Sequence, residues 1–389
     1  MSNRLVHLDV FRCLAALVVV GAHSMITGYQ LPYLQHVYTA PEFTVGPFNL
    51  GAPLFRGHLG VWIFYCISGY TMAMVAAQDA ARGLYQPNDA TGWRGYRSYF
   101  LVRRMLRLYP LFLVHLMVCS AFAHVAHAPL SDYLLAAAMV SNFWPQHITY
   151  PSSVMWSLVV EMQFYVLFAL TYHWFQGRPR RLGFALALSL LTLALLPNIF
   201  WQPHTPWPLF ILANNVPGFL SFFLLGILLH DQRELLANQL SQPRWAVPLL
   251  LGLVTALFID TGNSLTSPAN LSLLVITVVL AALTMVAGDG VIKRHPGLAR
   301  TWLTQVLAFW GRASYSIYLF HTFAIIKIQA WLTPLLSPLQ VAWCGFAGGV
   351  ALGCLVYLLV EKPLQRLKAY LVRLAINPSS QPAAHYQSP

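Results

Sequence analysis

Stretches of about 20 apolar residues, the length that crosses a bilayer as a helix, recur along the whole chain. They fall at 8–27, 59–78, 104–125, 153–175, 182–200, 210–230, 245–260, 270–287, 310–331 and 339–360. This pattern predicts an all-α, polytopic membrane helix bundle of about ten transmembrane helices, forming a single domain over residues 1–373. A further apolar stretch, SDYLLAAAMVSNFW at 131–144, is too short for a comfortable crossing.

The basic residues decide how that short stretch runs. Suppose that it enters and returns on one side and that the N-terminus is cytoplasmic. The inside segments then hold Arg4, the arginines from Arg82 to Arg107, Arg178, Arg180, Arg181, Arg233, Arg244, Lys293, Arg294, Arg300, Lys362, Arg366, Lys368 and Arg373. Arg56 alone falls outside, while Arg12, Arg312 and Lys327 lie within spans. A full crossing at 131–144 would flip every later loop and turn its basic residues outward, against the positive-inside rule. A re-entrant segment near 131–144 and two cytoplasmic termini are therefore predicted. Such backbone is tolerated only where it lines a polar cavity or is buried in protein.

Composition agrees. With 58% hydrophobic and 9% charged residues and a mean hydropathy of +0.60, the chain lies far from a soluble globular protein. The net charge of +12 would suit nucleic acid, but its placement between apolar spans marks a cytoplasmic membrane face instead. Cys13, Cys66, Cys119, Cys344 and Cys354 lie within apolar runs without metal-ligand spacing, so they read as packing residues and no metal is expected. The first span follows only Arg4 and leads to no small-residue cleavage site, so it is expected to remain as an anchor. Residues 374–389 read as a disordered cytoplasmic tail. The outer segment 28–58 carries Tyr29, Tyr33, Tyr38, Phe43, Phe48 and Phe55 among prolines, which suits an interfacial aromatic belt or sugar contact.

Candidate chemistry begins in the first run, LDVFRCLAALVVVGAHSMI, with Asp9, Arg12 and His23. A charge at a span's centre costs about 2.5–3.5 kcal/mol. Arg12 and His23, eleven residues apart, share a helix face about 16 Å apart along the axis, and Asp9 is within reach of Arg12. Arg103, Arg104 and Arg107 open the third span and suit either a forked phosphate site or ordinary interfacial anchoring. Glu161 stands in an apolar span, where it must be protonated, paired or beside water. Its depth places it near His23 in one outward-facing cavity, or it holds a neighbouring helix. Ser314, Tyr318 and His321 follow i, i+4 and i+7 and line one face.

These segments, in this order, resemble the membrane-bound acyltransferase family 3. Leu8-Asp9 with Arg12 and His23 is similar to its first helix, and RRMLRLYP to its Arg-x-x-Arg element. GVWIFYCISGY at 60–70 resembles its second span, with Phe64, Ser68, Gly69 and Tyr70 fitting and Trp62 standing where a polar residue is common. WSLVVEMQFY at 156–165, GRASYSIYLFHTF at 311–323 and VEKPLQR at 360–366 match three further elements, the last read as structural. The resemblance runs from Leu8 to Arg366, so no appended esterase-like domain is expected. It implies an O-acyltransferase of the bacterial inner membrane that binds no cofactor and uses acetyl-CoA, or another acyl-CoA, as co-substrate. The acceptor would be a sugar hydroxyl of a surface polysaccharide or its lipid-linked precursor, with the bilayer as the other partner and no nucleic acid.

In that reading His23 is the general base or acyl carrier, Glu161 orients it, and Arg12 steadies a carbonyl or phosphate. Arg103, Arg104 and Arg107 hold the donor. Asp9, Ser68, Tyr70, Tyr165, Ser314, Tyr318 and His321 are further pocket candidates. An exporter of a glycan or lipid-linked sugar is the alternative, since intramembrane ionisable residues and a re-entrant segment suit a transporter too.

Overall fold

The computed structural model describes residues 5–30, 44–46, 48–87, 89–122, 128–195, 204–259 and 268–367. Helices follow one another as α1 (Val6–Gly28), α2 (Gly57–Ala81), α3 (Ala90–Phe122), α4 (Leu130–Ala137), α5 (Met155–Phe175), α6 (Pro179–Leu195) and α7 (Trp207–Asn214). The rest are α8 (Val216–Asp231), α9 (Arg233–Leu240), α10 (Pro243–Phe258), α11 (Pro268–Arg294), α12 (Trp302–Arg312), α13 (Ser314–Leu332) and α14 (Pro338–Val356). Among the described residues the strands are two-residue pieces, β1 (Thr44–Val45) and β2 (Phe48–Asn49), paired antiparallel. The all-α class expected from the apolar pattern holds. Tyr33, Tyr38, Phe43 and the 374–389 tail lie outside the described residues.

Six helical stretches are long and apolar enough to cross a membrane: Val6–Gly28, Gly57–Ala81, Met155–Phe175, Trp207–Asp231, Ala269–Arg294 and Pro338–Leu367. Helix also occupies the other expected positions, in shorter or more polar form. α3 carries the arginine cluster, α6 and α10 have 17 and 16 residues, and the 310–331 stretch is divided at Ala313 between α12 and α13.

α1 packs against α2, α12, α13 and α14. Small residues let these backbones approach, as packing between apolar helices requires when lipid removes the hydrophobic drive. A Cβ on Gly311 would lie 1.7 Å from the Asp9 carbonyl oxygen, locking α12 to the polar end of α1. At Gly69 it would lie 2.0 Å from the Phe223 oxygen, and at Gly226 2.0 Å from that of Cys66, so α2 and α8 meet backbone to backbone. Gly69 thus serves contact between helices. Trp62, from the same segment, is buried and stacks on Phe222 at 4.7 Å.

The 131–144 stretch forms no spanning helix. α4 has eight residues, about 12 Å of rise. The chain then turns through Met139, at φ 57°, into single 3₁₀ turns at Ser141–Phe143 and Pro145–His147. Buried amides hold this turn against a break between α7 and α8. Asn142 Nδ2 donates to the Trp156 and Asn214 carbonyls (2.8 and 3.1 Å), and Asn215 Nδ2 donates to the Asn142 carbonyl (3.1 Å). Gln163 donates to Asn215 Oδ1 at 2.8 Å and accepts from the Val216 amide at 3.3 Å. An interrupted helix in an apolar interior must find partners for its freed backbone groups, and these side chains supply them.

Arg56, the one arginine that the charge pattern left outside, is buried at 2% exposure. Its guanidinium donates to the carbonyls of Ala256 (3.5 Å), Leu257 (3.3 Å) and Ile259 (2.5 Å). It caps the C-terminal end of α10, where unpaired carbonyls and the helix dipole favour a cation.

Candidate active site

At the N-terminal end of α1 the bundle encloses a basic cavity of about 600 Å³. Arg12, Arg82, Arg103, Arg107 and Arg312 face it together with Asp9, Glu161 and Glu361. Arg12 donates to Asp9 Oδ1 (3.3 Å) and Thr71 Oγ1 (3.1 Å), so the span's interior charge is paired across α1 and α2. Glu161 Oε1 accepts from Tyr165 (2.5 Å) and Ser68 (2.8 Å), which resolves how a carboxyl persists in an apolar span. Ser314 and Tyr318 also line this cavity.

The arginine trio divides by helix geometry. Arg103 and Arg107, four residues apart, share a face and both reach the cavity. Arg104 is turned about 100° from Arg103; it is buried and lies over the Phe100 ring at 5.3 Å. Arg103 is held by Asp79, whose Oδ2 accepts from it at 2.8 Å and from Tyr96 at 2.6 Å. Arg107 and Arg312 form no ion pair with any described residue, so their guanidiniums are available to an anion.

His23 lies elsewhere. It lines a second cavity of about 370 Å³ with Thr27, Thr149, Tyr150, Ser152, Ser153, Thr322 and Phe323. The expected single pocket joining His23 to Glu161 is instead two chambers toward opposite ends of α1. Glu161 bonds to its own i+4 neighbour Tyr165 and lines the basic cavity, not the one that His23 lines. The wall between the chambers is thin. Tyr318 and Ser157, which face the basic cavity, have hydroxyls 2.5 Å apart, and both lie within reach of the Val154 carbonyl. The Tyr318 ring is 6.2 Å from that of His321, and His321 is 4.9 Å from His23 at 71°. His321 is fully buried within this wall. Tyr70, the remaining candidate, packs edge-on against His230 at 5.3 Å and does not line either cavity.

Three charged cavity residues, Arg82, Arg312 and Glu361, went unnoticed in the sequence as site groups. Arg312 stood in plain view beside Gly311, inside an apolar run. Glu361, read as structural, is buried on a π-helical turn (Tyr357–Glu361) that turns it toward the cavity. Ser316 and Gln365 donate to its carboxylate. π turns concentrate at functional sites, but no residue pattern announced this one. Among the described residues no cluster of His, Cys, Asp and Glu has the makings of a metal site.

Residues 5–358 match the family model of the acyltransferase 3 family, an acyltransferase domain. Two proteins of Staphylococcus aureus, strains COL and MSSA476, each named "Putative O-acetyltransferase", are 23% identical to the chain over 355 residues. The alignment covers 80% of this chain and 53% of each relative, so the chain spans about half the length of the curated relatives it matches. No solved structure matches it.

Proposed function

Because the chain belongs to the acyltransferase 3 family, we propose that it is an O-acyltransferase moving acetyl, or another acyl group, from a coenzyme A thioester to a sugar hydroxyl. The acceptor is a cell-surface polysaccharide or its lipid-linked precursor, and the site is the bacterial inner membrane. In this reading the chain crosses about ten times with 131–144 re-entrant. The basic cavity then opens to the cytoplasm and the His23 cavity to the other side.

Arg107 and Arg312 bind the donor's phosphates, with Arg103 beside them. Arg12 meets the acyl end of the arm, and Glu161 holds Ser68 and Tyr165 in the chamber that receives it. In the second cavity His23 acts as general base. It takes the proton from the acceptor hydroxyl as that oxygen bonds to the thioester carbonyl carbon. The carbon–sulfur bond breaks, and the imidazolium returns the proton to the departing sulfur, leaving the coenzyme A thiol.

One observation carries this reading: a cation-lined chamber that Tyr318 lines and an imidazole-bearing chamber that His23 lines are linked by the ring contacts of Tyr318, His321 and His23, so in this reading Tyr318 moves for transfer. Acetyl-CoA binding to the purified protein, together with the O-acetyl content of surface glycan in cells, tests it. Arg107→Leu is expected to weaken binding about tenfold or more, while His23→Gln binds normally and fails to acetylate. Full acetylation by His23→Gln at matched protein levels would overturn the proposal. Absence of acetyl-CoA binding would favour glycan export instead.

A further inference from the structure

His321 sits in the wall between the chambers, and its hydrogen bonding fixes its chemistry. Nδ1 lies 3.0 Å from the Ile317 carbonyl oxygen. A carbonyl only accepts, so Nδ1 carries the ring hydrogen, and the neutral ring keeps its lone pair on Nε2. That nitrogen is buried and has no partner among the described residues. Buried acceptors normally find donors, so an idle one here calls for an explanation.

The ring is also held still. The peptide carbonyl fixes one edge, and α14 presses on the other side, where a Cβ on Gly349 would lie 3.1 Å from His321 Cβ. Beside it, at 4.9 Å between centroids and 71° between planes, is His23. With His321 fixed, this edge-to-face arrangement becomes an N–H···N contact by a modest turn of the His23 ring. His321 lies in neither cavity lining, whereas His23 faces the second cavity.

We propose that His321 is a positioning residue for His23: its Nε2 accepts the His23 ring N–H, which leaves the other His23 nitrogen unprotonated toward the acceptor hydroxyl. It performs the service that sequence reasoning gave to Glu161, which lies in the other chamber. The inference rests on His23 being the base. A carboxylate in this place would add a charge to an apolar wall; an imidazole orients its neighbour without one.

The test uses the full chain in lipid nanodiscs with ¹⁵N-labelled histidine, and matched cells for glycan O-acetyl content. Glutamine places an amide oxygen near the Nε2 position and accepts a hydrogen bond without taking a proton; phenylalanine keeps the volume and accepts nothing. His321→Gln is expected to keep one His23 tautomer and acetylation within about threefold of wild type. His321→Phe is expected to mix the two His23 tautomers and lose about tenfold or more of the acetylation, with acetyl-CoA binding and thermal stability unchanged. A single His23 tautomer in His321→Phe, or equal loss in both variants with intact acetyl-CoA binding, overturns the proposal. Unimpaired acetylation by His23→Gln refutes the base assignment instead, whatever the His321 variants do.

Discussion

Gly311→Ala perturbs the place where two helices approach most closely around the basic cavity. The added Cβ would lie 1.7 Å from the Asp9 carbonyl oxygen, whereas carbon and oxygen normally approach to about 3.3 Å. The contact must therefore open by about 1.6 Å, and because the obstacle is backbone, no rotamer relieves it. Overpacking of this kind costs about 1–3 kcal/mol. It also drives apart α1 and α12, which carry Arg12 and Arg312 across the cavity. Displacements of about 1 Å in a positioned site can cost about 100-fold in rate. The expected outcome is a fall of several degrees in the unfolding temperature in detergent and at least about tenfold weaker acetyl-CoA binding. Gly95→Ala is the control: nothing lies within 4 Å of its Cβ position, in the interior of α3. It should stabilise by about 0.5–1 kcal/mol through helix propensity. Unchanged stability and binding in Gly311→Ala, measured beside that control, would refute the argument from close approach.

Further outcomes follow from the same geometry. Arg56→Ala orphans the carbonyls at the end of α10 and should destabilise by about 1–3 kcal/mol, seen as a lower unfolding temperature, with Arg56→Lys intermediate. Asn142→Ala strips the donors from the Trp156 carbonyl of α5 and the Asn214 carbonyl at the α7–α8 break and should destabilise similarly, whereas Asn238→Ala, with an exposed side chain on α9, should not. Arg104→Leu should leave acetyl-CoA affinity within about twofold of wild type, whereas Arg107→Leu should not; equal losses in calorimetry would contradict the division of the trio. Glu161→Gln still accepts from Tyr165 and Ser68 and should fold normally, while Glu161→Ala strands two buried hydroxyls and should lower thermal stability.

Helix positions were legible because a 20-residue apolar run leaves the chain few other options. The pairing of Arg12 with Asp9 followed from i, i+3 spacing, and among the described residues helix appears where each run predicts it. What spacing could not supply was rotation between helices. Depth alone placed Glu161 beside His23; the facing of α5 sends it to Tyr165 and Ser68 instead. The same limit applies to Tyr70, which shares α2 with Ser68 yet faces His230, and to Arg104, whose neighbours reach the cavity. Glu361 was hidden for a different reason, because a π turn shifts the helical period by one residue and spoils any face drawn at 3.6. Arg56 was visible as an anomaly of charge, but its role depended on where α10 ends.

The contact between Tyr318 and Ser157 has a consequence for the cell as well as for transfer. A membrane under a potential of 100 mV drives each elementary charge with about 2.3 kcal/mol, so an uninterrupted water column between the two chambers would short-circuit protons. In the proposed arrangement, a phenol closing the junction keeps the bilayer electrically tight at rest. In the proposed transfer, an acyl arm that pushed the phenol aside would also plug the opening it made, so conductance would stay low throughout the cycle.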